Sequence, residues 1–469
     1  MKYVSTRGQA PALDFSDVLL TGLAADGGLY VPETWPSLSQ GEISALAGLD
    51  YADAAQRIIA PFVGEAIEAG ALRQMLHDAY GQFRHPAVAP LVQSSPNGWI
   101  LELFHGPTLA FKDVAMLLLA RLMDHVLAER GGRATIVGAT SGDTGGAAIE
   151  AFRGLERVDV YILYPHGRVS DVQRRQMTTA REDNVHALAL DGTFDDCQAI
   201  VKGLFGDEGF RSRVTLSGVN SINWARIVAQ VVYYFTSAVA LGAPSRPVSF
   251  AVPTGNFGDI FAGYVASRMG LDIERLVVAT NVNDILARTL DTGRYEVRSV
   301  VPTSSPSMDI QVSSNFERLL FEASGRDSDA VARWMDGLRQ SGSFTIDHAT
   351  LAAIRERFDA VSVDENACGT TIRDMLASGG YLADPHTAIG LAAARRHGND
   401  PATPMITLST AHPAKFPDAV EAAAGVRPAL PDWLSDLHER EETFTRLPAD
   451  QAAVASHIVS TTRVVTEEA

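Results

Sequence analysis

Glu102-Leu-Phe-His-Gly-Pro-Thr-Leu-Ala-Phe-Lys112-Asp113 is the stretch that decides how this chain folds, because it places a lysine where a strand-like run meets a helix. The chain has 39 Lys+Arg residues, of which only four are lysines, namely Lys2, Lys112, Lys202 and Lys415. Guanidinium stays protonated in proteins, whereas a partly buried ammonium readily loses its proton. Lys112 also opens an apolar helix predicted over residues 114–127, where the positive end of the macrodipole should lower the pKa of an amine. It is therefore a candidate nucleophile, although a lysine is more commonly a plain surface or helix-start charge.

Length and composition favour a soluble protein with two or three domains. The chain has 469 residues, 46% of them hydrophobic and 20% charged, with a formal charge of −17 and a pI near 5.1. This charge repels nucleic acid and anionic membrane surfaces, so we expect neither as a partner. Cys197 and Cys368 are far apart, and no Cys/His cluster has metal-ligand spacing, so we expect no disulfide framework and no metal site. The start of the chain lacks the pattern of a secretory signal or transit peptide, and a cytoplasmic location is expected.

Short apolar runs alternate with helical periods after residue 98, which is typical of an α/β fold with a parallel sheet and crossover helices. The predicted strands cover 99–103, 134–139, 158–163, 185–189, 248–252, 276–279 and 405–409. The predicted helices cover 114–129, 144–152, 193–205, 223–241, 259–269, 330–339, 350–358 and 387–397. Residues 1–95 are predicted to form a mixed α+β unit with helices over 51–63 and 66–80.

Two glycine-bearing turns join a predicted strand to the next helix: Ser141-Gly142-Asp143-Thr144 and Gly255-Asn256-Phe257-Gly258-Asp259. In an open α/β sheet, the backbone N–H groups of such turns and the following helix N-terminus bind anions. Glycines that merely shorten the turn are the alternative. No GxGxxG and no Walker A pattern is present, which disfavours dinucleotide and P-loop functions.

A third cluster opens the helix predicted over 223–241. Asn223 and Arg226 are three residues apart on one helical face and, with the preceding Ser221, could converge on an anionic group. An N-cap followed by a solvated arginine is the alternative. His105, His386 and His412 are interpreted as structural, since their spacing offers no metal-ligand set.

Taken together, these residues resemble the threonine synthases of the longer form found in bacteria and fungi. These are pyridoxal-phosphate enzymes of the tryptophan-synthase-β group, also called fold type II. The resemblance rests on seven motifs in order: 26–32 (Asp-Gly-Gly-Leu-Tyr-Val-Pro), 102–113, 140–145 (Thr-Ser-Gly-Asp-Thr-Gly), 220–226 (Asn-Ser-Ile-Asn-Trp-Ala-Arg), 253–259 (Pro-Thr-Gly-Asn-Phe-Gly-Asp), 306–310 with 313–318, and 409–416 (Ser-Thr-Ala-His-Pro-Ala-Lys-Phe).

The resemblance implies a large pyridoxal-phosphate domain built from residues 96–130 and 223–469, with a parallel sheet. It also implies a smaller mobile α/β subdomain over 131–222 beside the N-terminal domain of residues 1–95. The implied reaction converts O-phospho-L-homoserine and water to L-threonine and phosphate, by γ-elimination and β-addition of water. The protein would be a monomer or a homodimer.

The resemblance also implies roles for the candidate residues. Lys112 would bind the cofactor covalently, Phe111 would line its pocket, and Thr410 would face the pyridine nitrogen. The cofactor phosphate would lie on Gly255, Asn256, Phe257, Gly258 and Asp259. Ser141, Gly142, Asp143 and Thr144 would take the substrate carboxylate, and Ser221, Asn223 and Arg226 its phosphate. Asp143 stands where many relatives in the wider group have asparagine, and its carboxylate would repel neighbouring anions unless it were protonated or turned away.

Two alternatives stay open at this point. Another fold type II enzyme, such as a serine/threonine dehydratase or a tryptophan-synthase-β-like lyase, would share Lys112 and the 255–258 turn. Arg226 separates the two, because a substrate without phosphate needs no such residue. A catalytically silent relative that binds the cofactor or phosphorylated ligands is the second alternative, and it is disfavoured because Lys112, Thr410 and both turns are all present.

Overall fold

The computed structural model describes residues 1–397 and 400–464, and it confirms the α/β class. The large sheet has six strands in the order Phe358–Ser362, Ile273–Thr280, Val248–Pro253, Met405–Ser409, Gly98–Glu102 and Leu91–Ser95. All neighbours are parallel except the last pair, which is antiparallel. Such a sheet is buried on both faces, which explains why its central strands are almost wholly apolar.

Helices cover both faces of this sheet and bury separate apolar clusters against them. They are Lys112–Glu129, Trp224–Ala240, Gly258–Arg268, Ile285–Thr292, Phe316–Ala323, Ser328–Ser341, His348–Arg355, Glu365–Gly379, Pro385–His397 and Pro417–Ala424. A short antiparallel pair, Arg294–Glu296 with Ser343–Thr345, lies beside them. The helix predicted over 350–358 was too long, because Phe358 begins a strand that pairs in parallel with Leu276.

A second sheet has five parallel strands in the order Thr445–Pro448, Val185–Asp191, Val158–Pro165, Ala134–Ala139 and Leu216–Ser217. Its helices are Asp143–Phe152, Asp171–Thr178, Phe194–Gly206, Glu208–Val214 and Gln451–Thr461. Most of these elements lie within residues 131–222, and one strand and one helix come from the C-terminal end of the chain.

The sheets differ from the expected domain ranges at two places. Leu91–Ser95 was assigned to the N-terminal domain, but it forms the edge of the large sheet by pairing with Gly98–Glu102. Residues 445–461 were assigned to the large domain, but Thr445–Pro448 joins the small sheet beside Val185–Asp191. The following helix, Gln451–Thr461, buries Val454 and Ile458 in the small subdomain's own apolar cluster.

The N-terminal unit contains the antiparallel pair Tyr3–Ser5 with Tyr30–Pro32 and four helices, Phe15–Thr21, Gln40–Ser44, Tyr51–Val63 and Ala69–Tyr80. It packs on the large domain through Trp224, which is 0% exposed and whose ring contacts Tyr3, Trp35 and Phe62. Within residues 1–397 and 400–464, no helix combines the length and apolar character needed to cross a membrane.

Candidate active site

Lys112 is the first residue of the Lys112–Glu129 helix, and it lies beside the carboxyl end of the central Met405–Ser409 strand. The backbone N–H of Phe111 donates to the carbonyl of Thr410 over 2.9 Å, which joins the start of the helix to the end of the strand. The ammonium of Lys112 lies 4.8 Å from the centre of the Phe111 ring. The structure therefore brings together three predicted residues at the edge of the sheet where α/β proteins bind ligands.

Lys112 is only 8% exposed, and the pKa of its amine is lowered. Burial is the largest cause, since the charged form loses its hydration. Asp143 opposes this effect, while the positive charges of Arg226 and Lys415 add to it. The direction agrees with the prediction from the sequence, although burial contributes more than that prediction assumed.

Asp143 begins the Asp143–Phe152 helix after the turn that follows strand Ala134–Ala139. The turn is tight: Gly142 has a φ of 145°, and the N–H groups of Gly142 and Gly145 both donate to Thr140 Oγ1 over 2.9 Å. A Cβ at Gly142 would lie 2.3 Å from the amide carbon of Gln173, so only glycine fits there. Ser141 and Thr144 flank this helix start, where backbone N–H groups lack intrahelical acceptors.

Asp143 is 5% exposed, and its carboxylate lies among hydrogen-bond donors. Its Oδ2 lies 3.6 Å from Lys112 Nζ and accepts from Ser307 Oγ over 3.4 Å. Its Oδ1 lies 3.1 Å from Lys415 Nζ and accepts from Gln173 Nε2 over 2.9 Å. Burial alone would raise the pKa of Asp143, but the two ammonium groups and Gln173 hold it well below its usual value. Asp143 is therefore neither protonated nor turned away.

Lys415 lies at this site, although the sequence analysis assigned it no role. It lies in the Pro413–Lys415 turn and is 0% exposed, and its amine also donates to Thr108 O over 2.6 Å and to Gln176 Oε1 over 2.7 Å. Its rarity as one of four lysines was the available signal. That signal was used only for Lys112.

The Gly255–Asp259 turn forms the second predicted anion site. A Cβ at Gly255 would lie 2.8 Å from the carbonyl oxygen of Ser307, and Phe257 adopts a left-handed φ of 65° before the Gly258–Arg268 helix. Among the described residues, the backbone N–H groups of 255–258 have no backbone acceptor. Asn256 contributes its carbonyl, which accepts from the backbone N–H of Asn315 over 3.0 Å. This conformation leaves several N–H groups free for an anion.

Asp259 follows that turn and is buried against two tyrosines. The hydroxyls of Tyr233 and Tyr234 donate to its Oδ1, and the hydroxyl of Tyr234 also donates to its carbonyl. Its Oδ2 is buried without a partner in the described part of the chain. Burial raises the pKa of Asp259 to about 7, despite the tyrosine hydroxyls and the positive charge of Lys112.

In the Ser221–Arg226 segment, Asn223 fits the capping alternative, whereas Arg226 does not fit the alternative of a solvated arginine. Asn223 is the N-cap of the Trp224–Ala240 helix: its Oδ1 accepts from the N–H of Ala225, and its Nδ2 donates to Leu19 O. Its side chain is thus occupied by these contacts, as in the capping interpretation. The Ser221 carbonyl accepts from Asn315 Nδ2. Arg226 is 4% exposed rather than solvated, and its Nε is buried without a partner in the described structure.

Two histidines hold parts of this site in place. His386 Nδ1 lies 2.6 Å from Asp384 Oδ2, and its Nε2 accepts from the N–H of Ser307. Nδ1 of His412 accepts from the N–H of Ala414 and so caps the turn that carries Lys415. Burial, with a contribution from His105, lowers the pKa of His412 to about 4, which keeps the ring neutral and able to accept this hydrogen bond.

Ser307 connects the two turns, because its carbonyl lies over Gly255 while its hydroxyl reaches Asp143 beside Lys112. A buried amine of lowered pKa therefore stands near a glycine turn with free N–H groups and a buried, incompletely paired guanidinium. These are the groups that a phosphorylated aldehyde needs, namely an amine for the aldehyde carbon and N–H donors for the phosphate. The residues present fit pyridoxal phosphate.

The comparisons with known proteins agree with this donor set. The family model "Threonine synthase N terminus" matches residues 2–80, "Pyridoxal-phosphate dependent enzyme" matches 84–410, and "Threonine synthase, C-terminal" matches 387–458. The threonine synthase of Pseudomonas aeruginosa is 55% identical over 98% of both chains. This chain belongs to the threonine synthase family. The expected fold type II architecture and the pyridoxal-phosphate cofactor are thereby confirmed.

Solved threonine synthases have the same fold. The structure of the enzyme from Brucella melitensis, described as pyridoxal-phosphate-bound, is 60% identical with a TM-score of 0.97, covering 99% of this chain and 100% of that one. The threonine synthase from yeast is 40% identical with a TM-score of 0.93 and 98% coverage of each chain. The threonine synthase family thus accounts for the N-terminal unit and the C-terminal segment as well as the cofactor domain.

Proposed function

We propose that this protein converts O-phospho-L-homoserine and water to L-threonine and phosphate with pyridoxal phosphate as cofactor. The observation that supports the proposal is the contact series from Gly255 through Ser307 and Asp143 to Lys112. It connects a buried amine to a turn whose backbone N–H groups have no backbone acceptor among the described residues. Arg226 supports a second, phosphorylated ligand, because its buried Nε has no partner among the described residues. A buried guanidinium with an unused donor is suited to an anionic group.

The cofactor site would use residues from three turns. Lys112 would hold the cofactor covalently, with Phe111 against it and Thr410 near the pyridine nitrogen. The N–H groups of 255–258 would take the phosphate, and Asp259 would stabilise that turn through the two tyrosines. Bound there, pyridoxal phosphate would accept the electron pair released when a C–H bond next to the substrate amine breaks.

The substrate would be held by the other two clusters. The helix start at Ser141–Thr144 would bind the α-carboxylate, and Arg226, with the neighbouring Ser221 and Asn223 segment, would bind the phosphate. Lys112 would take the proton from Cα of the substrate and return protons as the reaction proceeds, for which a lowered pKa is needed. Asn223 contributes by capping the helix that carries Arg226.

Closure of the small subdomain over the substrate would exclude water until it is needed at Cβ. The Ser141–Thr144 turn belongs to this subdomain, while Lys112 belongs to the large one. Hydrogen exchange in residues 131–222 should slow when a non-reactive phosphohomoserine analogue binds. Unchanged exchange in this segment would refute the closure.

The test of the activity is a product assay on the purified holoenzyme. We expect phosphate release from O-phospho-L-homoserine with equimolar threonine. The opposite pattern, keto-acid formation from threonine or serine without phosphate release from phosphohomoserine, would assign the protein to a dehydratase activity instead.

We further propose a cytoplasmic location and a monomeric or homodimeric state. Cys197 and Cys368 are both free and buried, which suits a reducing compartment. Light scattering of the purified protein decides between the two oligomeric states.

A further inference from the structure

Lys415 joins three distant parts of the chain at the active site. Its amine contacts the backbone of Thr108 in the loop before Lys112, and it contacts Gln176 and Asp143 on two helices of the small subdomain. Ser170, also in the small subdomain, donates to the carbonyl of Lys415 over 3.2 Å. Burying a charge is costly unless it is paired. A fully buried ammonium with this many acceptors is therefore a specific feature of the fold rather than an incidental contact.

The two oxygens of the Asp143 carboxylate face two different amines. Oδ1 is taken by Lys415 and Gln173, so it is fully used by groups that do not react. Oδ2 faces Lys112 at 3.6 Å, and the 3.4 Å contact from Ser307 is its only other partner within the described residues. Lys415 thus fixes the orientation of the carboxylate whose other oxygen faces the reacting amine.

The charges explain why a second lysine is needed. A carboxylate alone beside Lys112 would hold its amine as an ammonium, since deprotonation would leave a buried anion without a counter-ion. An ammonium has no free electron pair and can neither attack an aldehyde nor accept a proton from Cα. With Lys415 present, loss of the Lys112 proton still leaves one buried anion paired with one buried cation.

We propose that Lys415 is a positioning residue that supplies the counter-charge of Asp143 and so allows Lys112 to react as a neutral amine. This inference rests on the proposed function, because it takes Lys112 as the amine that binds the cofactor. In this proposal Asp143 acts as an anion, and its counter-ion is Lys415 of the large domain.

Other charged groups surround the pair and are part of the electrostatics. Arg226 lowers the pKa of Lys112, His386 contributes to the low pKa of Asp143, and Asp259 feels the charge of Lys112. Asp113 is buried against Thr108 with its pKa raised to about 7, and it feels the charge of Lys415. Lys415 differs from these groups in that its amine is in direct contact with the Asp143 carboxylate. Its removal should therefore raise the proton affinity of Lys112, because it takes the counter-ion from Asp143 and one positive charge from the surroundings of Lys112.

The experiment measures the pH dependence of covalent cofactor attachment. Full-length apo-protein is mixed with pyridoxal phosphate between pH 6 and 10, the bond to the amine is fixed with borohydride, and the modified peptide is quantified by mass spectrometry. In Lys415→Met, the apparent pKa for attachment at Lys112 should rise by about one pH unit or more. Lys202→Met is the matched control, since Lys202 is exposed on the Phe194–Gly206 helix, and its profile should equal that of the unmodified protein.

An unchanged pH profile in folded Lys415→Met would overturn the proposal, because a merely structural lysine would reduce yield without moving the apparent pKa. If Lys415→Met does not fold, Lys415→Gln decides. Its amide can still donate a hydrogen bond in place of the amine contacts with Thr108 and Gln176 but carries no charge for Asp143, so the apparent pKa should rise as well. An unchanged profile there would equally overturn the proposal.

Failure of the proposed function would give a different result in the same attachment experiment. In that case the unmodified protein would show no attachment at Lys112 at any pH. Attachment at Lys112 with identical profiles in all variants would contradict only the role of Lys415.

Discussion

The ammonium of Lys415 lies 3.1 Å from Oδ1 of Asp143, at the oxygen opposite to the one that faces Lys112. The sequence suggested that this carboxylate would repel its neighbours unless it were protonated or turned away. A second lysine resolves the conflict by pairing with it, and the result is an anion held between two amines.

Gly255→Ala should weaken cofactor binding. The added Cβ would lie 2.8 Å from the carbonyl oxygen of Ser307, so the backbone of the cradle must shift. Such overpacking costs about 1–3 kcal/mol, which corresponds to a rise of about 5- to 160-fold in the Kd for pyridoxal phosphate. Absorbance titration of the apo-protein with pyridoxal phosphate measures this Kd.

The control for that variant is Gly379→Ala, at the end of the Glu365–Gly379 helix, where a Cβ meets nothing within 4 Å. Its Kd should equal that of the unmodified protein. Equal Kd values for all three proteins would contradict the cradle at Gly255.

Arg226→Lys should raise KM for O-phospho-L-homoserine while cofactor absorbance is retained. Lysine keeps a charge but loses the forked donors, including the buried Nε that has no partner in the described structure. A lost charge-assisted hydrogen bond costs about 1.5–3 kcal/mol, so the expected rise is about 10- to 100-fold. Arg333→Lys, at an exposed position of the Ser328–Ser341 helix, is the matched control. If Arg226→Lys and Arg333→Lys have the same KM, Arg226 does not bind the substrate phosphate.

Asp259→Asn should change how stability depends on pH. Burial raises the pKa of Asp259 from 3.8 to about 7, so the folded state binds this proton more tightly than the unfolded state does. The stabilisation is complete below about pH 4 and is lost as the pH rises through about 7.

Relative to Asp259→Asn, the unmodified apo-protein should therefore lose stability between pH 5 and pH 8. The loss should be of the order of 1–4 kcal/mol, since one pKa unit corresponds to about 1.4 kcal/mol. Urea unfolding at both pH values measures this difference. If the difference in unfolding free energy between the two proteins is the same at pH 5 and pH 8, the Asp259 carboxyl is ionised in the folded state at both pH values. That result would contradict the raised pKa.

The sequence predicted the elements whose signals are local. Strands at 134–139 and 405–409 coincide with Ala134–Ala139 and Met405–Ser409, and the helix at 51–63 coincides with Tyr51–Val63. Their apolar runs and flanking turns lie within a few residues of each other, so one window of sequence contains the whole pattern.

Contacts between distant segments could not be predicted in the same way. The partners of Lys415 are Thr108, Asp143 and Gln176, which belong to three separate stretches and meet only in the folded chain. Thr445–Pro448 alternates half-buried and exposed residues, because it is the edge strand of its sheet, and it therefore lacks a strong apolar signal. Its attachment to the small subdomain was consequently missed.

Ile458→Ala tests that attachment. Ile458 is 0% exposed within the small subdomain's apolar cluster, and the truncation should cost about 2–5 kcal/mol through lost burial and a cavity. Hydrogen exchange should accelerate in Val185–Asp191 and Phe194–Gly206, which share the small subdomain. Ser456→Ala, at an exposed position of the same helix, should leave exchange unchanged. Acceleration confined to the large domain would contradict the assignment of residues 445–461.

The central claim is that Lys112 binds pyridoxal phosphate, and the most direct measurement is the visible absorbance of purified protein supplied with that cofactor. We expect the unmodified protein and Lys202→Ala to acquire the same absorbance band, with the bond located at Lys112 after borohydride reduction. Lys112→Ala should acquire neither the band nor the covalent attachment. An unmodified protein that stays colourless, or a Lys112→Ala variant that keeps the band, would contradict the claim.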